Sequence, residues 1–284
     1  MSKVVEEVRL SLPHIELAAH LFGPENGLPV IALHGWLDNA NSFSRLAPKL
    51  KGLRIIALDM AGHGHSGHRP AGAGYAMWDY AHDVLQVAEQ LGLKRFALLG
   101  HSMGAIASLI IAGSLPERVT HLALIDGLIP PTDNVENAAE RMGMALQAQL
   151  ELREKRKPVY NTLERAIEAR MKGVVAVSRE AAELLAQRGL MPVPGGYTWR
   201  TDNRLTLPSP LRLTTEQAMA FVQRIRCPAK LVVAADGMLA RQTELLKRLP
   251  FSREQLPGGH HLHLNDESGA DLVADCFNRF FAIP

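Results

Sequence analysis

The clearest chemical signal is Gly100-His101-Ser102-Met103-Gly104, which lies directly after the apolar run Phe96 to Leu99 and directly before the apolar stretch Ala105 to Ala112. A serine between a strand end and a helix start, with glycine two residues away on either side, has the pattern of a nucleophile elbow. Such a turn pushes the hydroxyl into the open, and the glycines keep side chains from colliding with the neighbouring strand and helix. The helix that follows aims free N–H groups at the same spot, which favours a developing oxyanion. A second donor is expected from His34-Gly35-Trp36, where the first buried strand ends and the chain swings across the carboxyl edge of the sheet. The backbone N–H groups of Trp36 and Met103 are the expected oxyanion pair, with His34, Gly35 and His101 expected to contact substrate. This equipment suits nucleophilic attack on a carbonyl carbon, and it requires an imidazole to take the serine proton.

Of twelve histidines, six fall into two short clusters. His63, His65 and His68 have the spacing of the HxHxDH zinc motif of metallo-β-lactamase-like hydrolases. The aspartate slot, however, holds Gly67, and a metal site needs ligand number as well as spacing, so no metal is expected. The glycines of this tract instead let a loop pass close to Ser102. His260, His261 and His263 form the second cluster, immediately after Pro257-Gly258-Gly259. The chain order serine, acid, histidine puts a general base in this region. His260 is the expected base, His261 the alternative, and His263 a structural neighbour.

These groups can meet only if their strands share one sheet. Short apolar runs with little alternation occur at 30–33, 55–58, 96–99, 122–125 and 231–234, as in strands buried on both faces. Tyr80, Val84, Val87 and Leu91 mark one face of a helix stopped by Gly92. Strand and helix alternate, so the expected fold is α/β, a mostly parallel doubly wound sheet. Residues 7–22 alternate around Pro13 and predict an antiparallel hairpin. Between Asp126 and Pro228 lies far more chain than the dozen or so residues a parallel crossover needs. There Val135, Ala138, Ala139, Met142 and Leu146 recur at helical spacing, and Asn161 with Glu164 and Thr214 with Gln217 resemble helix-start boxes. Residues 127–226 therefore read as a mostly helical cap inserted between two late core strands, dividing the core into 1–126 and 227–284.

Composition narrows the partners. The chain of 284 residues is 47% hydrophobic and 21% charged, which excludes disorder. Its 31 Lys and Arg against 29 Asp and Glu provide no field for nucleic acid or anionic membrane, so a small-molecule substrate is expected. Cys227 and Cys276 are too few for a disulfide framework and point to a reducing compartment. Met1 to Leu10 lacks the apolar core of a signal peptide, and no run approaches about eighteen apolar residues. A cytoplasmic location without membrane insertion is the expectation.

Over nearly its whole length the sequence resembles the α/β-hydrolase fold superfamily, and His34-Gly35-Trp36-Leu37-Asp38-Asn39-Ala40 is similar to the serine hydrolase-like proteins within it. The tract Asp59 to Ser66, the serine turn and Pro257-Gly258-Gly259-His260 fit the same resemblance. It implies Ser102 as nucleophile, His260 as base, no cofactor, and a cap that closes the pocket, with Trp36, Met144 and Trp199 as candidate lining. The acid departs from the pattern. In most relatives it follows the next-to-last strand in a G-x-x-D run, but here Gly237 fills that slot and Asp236 stands one residue early. Asp126 is the second candidate and is slightly favoured, because some members place the acid after the strand beside the nucleophile. The implied reaction is hydrolysis of an ester or related acyl bond through a Ser-His-Asp triad and an acyl-enzyme. Thioester, lactone or carbon–carbon bond hydrolysis and cofactor-free perhydrolysis would use the same site. A ligand receptor that keeps the fold without catalysis is the alternative from another class.

Overall fold

A computed structural model describes residues 6–152 and 156–282. The hairpin is present as β1 (Glu6–Ser11) and β2 (Glu16–Phe22), paired antiparallel from Glu6↔Leu21 to Ser11↔Glu16. The apolar runs then form β3 (Leu28–Leu33), β4 (Leu53–Leu58), β5 (Phe96–His101) and β6 (Val119–Ile125). Helix α1 (Met77–Gln90) lies between β4 and β5, and α2 (Met103–Ser114) between β5 and β6. On α1, Tyr80, Val84 and Val87 are buried as their spacing requires, and Gly92 ends the turn beyond it at φ 67°.

After β6 come α3 (Ala138–Glu151), α4 (Leu163–Met171) and α5 (Arg179–Gly189), then a ribbon of β7 (Leu190–Val193) and β8 (Gly196–Trp199) that the sequence pattern had concealed. Helix α6 (Thr215–Gln223) opens on the expected Thr214–Gln217 box, whereas α4 is capped by Thr162, one residue beyond the anticipated Asn161. Although α6 falls within 127–226, it packs against α2 and sends Ala218, Met219 and Val222 into the core. The chain returns through β9 (Ala229–Asp236), α7 (Thr243–Lys247), β10 (Ser252–Gly259), α8 (Leu262–Asn265) and α9 (Glu267–Phe281).

The eight core strands form one sheet in the order β1-β2-β4-β3-β5-β6-β9-β10, parallel from β4 to β10. Side chains of β3 and β5 point alternately into two apolar clusters, Ile31, Leu33 and Leu98 on one face and Val30, Ala32 and Leu99 on the other. Burial on both faces is why these runs lack polar alternation. Each fully buried Leu, Ile or Phe stabilises the fold by roughly 1.5–3 kcal/mol relative to exposure. The carboxyl ends of β3, β5, β6 and β9 therefore lie side by side, where crossovers leave a crevice.

The inserted segment has its own small cluster, built on Ile167, Val177, Ala181, Ala182, Leu185 and Ala186 and closed by Leu264 of the core. Helix α3 differs: among its residues only Ala145 is buried, and Met142, Met144, Leu146 and Leu150 are exposed. Its apolar spacing was sound as a helix signal, but that face meets solvent.

Candidate active site

Ser102 sits at the junction of β5 and α2 with φ 51° and ψ −116°, a left-handed backbone that a side-chain-bearing residue rarely adopts. The strain persists because strand and helix are packed too closely for any other path. A Cβ at Gly104 would come within 2.0 Å of Leu33 O, and one at Gly100 within 2.5 Å of Ala105 Cα. The five-residue motif located the turn, and packing explains its glycines. Asp126 leaves β6 at φ 40°, and the adjoining Gly127 lies against the serine, since a Cβ there would approach Ser102 Cα to 2.7 Å.

The imidazole of His260 and the carboxylate of Asp126 are joined. His260 Nδ1–H donates to Asp126 Oδ2 at 2.6 Å, with Asp126 1% and His260 7% exposed. The exit of β9 wraps the same carboxylate: Met238 N–H donates to Oδ2 at 2.8 Å, and Ala234 N–H to Oδ1 at 3.2 Å. A carboxylate anchored by several N–H groups is fixed in place, and by accepting from Nδ1–H it selects the tautomer in which Nε2 of the histidine carries a lone pair. Asp236, the other candidate acid, is exposed and makes no hydrogen bond to His260. The Ser102 side chain makes no hydrogen bond among the described residues, an open arrangement that apo sites commonly tighten on binding substrate.

The two expected oxyanion donors are both free. Among the described residues neither Trp36 N–H nor Met103 N–H donates to a protein acceptor. The turn carrying Trp36 is pinned from several sides. Leu37, at φ 62°, donates its N–H to His63 Nε2 at 3.2 Å; Asp38 N–H donates to Gly35 O at 3.1 Å; and the Trp36 indole N–H donates to Leu205 O at 2.8 Å.

The three residues expected to contact substrate, His34, Gly35 and His101, are all buried. His34 is fully buried, accepts from Met60 N–H at Nε2 (3.0 Å) and donates from Nδ1 to Gly35 O (2.8 Å). Gly35 is buried beneath it, and a Cβ there would lie 3.0 Å from His101 Nδ1. His101, also fully buried, donates from Nε2 to the carbonyl of His260 at 2.8 Å, and its ring lies 4.7 Å from that of His260 and 4.4 Å from that of His263. Burial, reinforced by the surrounding histidines, keeps His101 neutral by pushing its pKa well below the usual range. These side chains shape the site by bracing its loops against one another.

The histidines of the first cluster disperse. His63 is fully buried and pins the Trp36 turn; burial, helped by His34, pushes its pKa down to about 3. His65 meets Glu7, and His68 bonds to Arg200 O. They do not face one common point.

Asp59, Arg188, Asp38 and Arg170, to which no role was assigned from the motifs, tie the inserted segment to the site. Asp59, fully buried, accepts from Ala40 N–H, His65 N–H and Arg188 Nε of α5, each at 2.7 Å. Asp38 accepts from Arg170 Nη2 of α4 at 2.7 Å and from His261 Nε2 at 2.9 Å. Burial alone would raise the Asp38 pKa, but the electrostatic pull of His261 and Arg170 and the hydrogen bond from His261 outweigh it and hold it well below the usual carboxylate range. Both aspartates lie within motif tracts, Asp38 in His34–Ala40 and Asp59 in Asp59–Ser66, whereas the arginines sit on ordinary charged helices that carry no signal.

A sheet with this strand order, a strained serine after its fifth strand and a histidine–carboxylate pair beside it defines a hydrolase-type site. Residues 29–173 match the family model described as alpha/beta hydrolase fold, and the chain belongs to that family. It is 31% identical to the serine hydrolase-like protein of Danio rerio, over 97% of this chain and 89% of that one. The crystal structure of the hypothetical protein PA1622 from Pseudomonas aeruginosa PAO1 is 70% identical, with a TM-score of 0.96 over 98% of this chain and all of that one. The thioesterase domain from the curacin biosynthetic pathway, 24% identical with a TM-score of 0.84 over 97% of this chain and 99% of that one, shares the fold. No helix among the described residues is long and apolar enough to cross a membrane.

Proposed function

We propose that the protein is a serine hydrolase that cleaves an ester or related acyl bond of a small molecule. The observation that carries this reading is the 2.6 Å contact of His260 with Asp126, formed beside a serine held in a strained turn. Ser102 Oγ attacks the acyl carbonyl while His260 Nε2 takes its proton, and Asp126 holds Nδ1–H and stabilises the resulting imidazolium. The N–H groups of Trp36 and Met103 receive the oxyanion. His260 then returns the proton to the leaving group, and water, deprotonated by the same imidazole, releases the acid and restores Ser102. No step requires a cofactor. The inserted helices form a cap over the site, and the free Cys227 and Cys276 support a reducing, cytoplasmic setting.

A fluorophosphonate probe followed by peptide mass spectrometry tests the reading directly. A single adduct on Ser102, absent in Ser102→Ala, is expected. Folded protein that gives no adduct and turns over no member of a panel of p-nitrophenyl esters, acyl thioesters and lactones would favour the ligand-receptor alternative.

A further inference from the structure

His260 and His261 are consecutive, yet each is bonded to a different buried aspartate. His260 meets Asp126, and His261 meets Asp38. The second pair lies outside the proposed chemistry, and its geometry gives it a separate task. Asp38 is fully buried in the turn that carries Trp36, and its own N–H closes that turn on Gly35 O. Its two carboxylate oxygens are divided between two parts of the molecule. Oδ2 faces the core, taking His261 Nε2–H at 2.9 Å with His101 Nδ1 4.0 Å away. Oδ1 faces the inserted segment, taking Arg170 Nη2–H at 2.7 Å, while Arg170 Nη1 ties the end of α4 to Val175 O at 3.0 Å. His101 extends the connection from the serine turn to the base loop through its bond to the carbonyl of His260.

We infer that the Arg170–Asp38 ion pair is a latch by which α4, when seated, sets both the oxyanion turn and the base loop. Arg170 and Asp38 are thus positioning residues for Ser102 chemistry; the inference rests on the serine-hydrolase reading. The physical reason is the cost of an uncompensated buried charge. With α4 seated, the carboxylate has a hydrogen-bond donor on each side, the Arg170 guanidinium and the His261 ring N–H. With Arg170 withdrawn, Asp38 keeps only His261, and a buried anion that loses a partner rotates, draws in water or takes up a proton. Each response moves Asp38, and Asp38 is the last residue of the turn whose N–H must lie within hydrogen-bond distance of the oxyanion. A displacement of about 1 Å at such a donor lowers rate by up to roughly 100-fold.

The test uses the full chain with Arg170→Met, Arg170→Lys, Asp38→Asn, the Arg170→Met/Asp38→Asn pair, and Arg179→Ala, which breaks a surface ion pair with Glu164 as a control. Active sites are counted by fluorophosphonate titration, so that kcat is expressed per labelled serine and unfolded protein is excluded. Arg170→Met is expected to lower kcat about 10- to 100-fold with KM within about twofold, because turn geometry rather than substrate contact is lost. Arg170→Lys, which keeps the charge, should recover most of that loss. The double variant should lose no more than the worse single variant, since both changes open the same latch. Normal kcat per labelled serine in Arg170→Met, with a lowered melting temperature, would overturn the latch and leave a structural strut. Additive losses in the double variant would overturn it as well. Wild-type protein that fails to label at Ser102 would instead overturn the serine-hydrolase reading on which the latch stands.

Discussion

Acid should unfold this protein earlier than its carboxylates alone would require, because two fully buried histidines must take up protons. His63 and His263 are 0% exposed, and burial, with a neighbouring histidine in each case, pushes both pKa values down to about 3. An unfolded histidine titrates near 6.5, so between about pH 6.5 and 3 the unfolded chain binds more protons at these two positions than the native one. Stability therefore rises with pH across that window; it is fully present above 6.5 and is lost as the pH falls. At pH 5.0 each histidine lowers unfolding free energy by about 2 kcal/mol relative to pH 7.5, and the pair by about 4 kcal/mol, against a total of roughly 5–15 kcal/mol for a typical domain. Burial also lowers the pKa values of His34 and His101, and these add to the effect in the same direction. Urea unfolding followed by circular dichroism at pH 7.5, 6.0 and 5.0 measures the slope. His63→Gln should be less stable at pH 7.5, having exchanged the acceptor for Leu37 N–H, but should show about 2 kcal/mol less change between the two extremes. Equal stability of the wild type at pH 7.5 and 5.0 would refute the reasoning, since it would require these imidazoles to be hydrated or already charged in the native state.

Asp126→Asn should lower kcat about 10²- to 10⁴-fold, the scale expected when a triad acid loses its charge or its hold on the tautomer, whereas Asp236→Asn, at an exposed position, should stay within about twofold. Full activity in both variants, assayed on whichever ester the wild type accepts, would show the triad to be wrong. Gly237→Ala places a Cβ 2.3 Å from Asp126 Oδ2 and should lower kcat by at least about tenfold while far-ultraviolet circular dichroism stays native; unchanged turnover would mean that the loop yields freely. Burial pushes the Cys227 thiol up to about 11, and burial with the Glu254 hydrogen bond pushes Cys276 up to about 12, so iodoacetamide at pH 8 should alkylate the native protein far more slowly than the urea-unfolded one. Equal rates would contradict the packing of these residues.

How much of this was legible in the sequence depended on how far each signal reaches along the chain. Strands buried on both faces announce themselves within four residues, and the serine turn within five, because their constraints are local: apolar contact above and below, and glycine where strand and helix touch. The ribbon of β7 and β8 and the outward face of α3 were missed because both depend on what the segment packs against, which spacing does not encode. The ion pairs that join α4 and α5 to the core are further from view still, since Arg170 and Asp38 are 132 residues apart.

The acid shows where the local and the spatial accounts meet. By spacing, Gly237 stands where most relatives carry their aspartate, which looked like a one-residue misfit favouring Asp236 or a relocation to Asp126. β6 and β9 are parallel neighbours, with Ile125 beside Val232, so the exits of both strands reach the same point in space. A side chain at 237 would begin 2.3 Å from the Asp126 carboxylate, and the N–H groups of Ala234 and Met238, from the end and exit of β9, are bonded to that carboxylate. The two positions therefore compete for one volume, and only one of them can be filled. Glycine at 237 leaves the space in which Asp126 reaches His260, so under the proposed triad the apparent defect in the motif is the counterpart of an acid placed at 126.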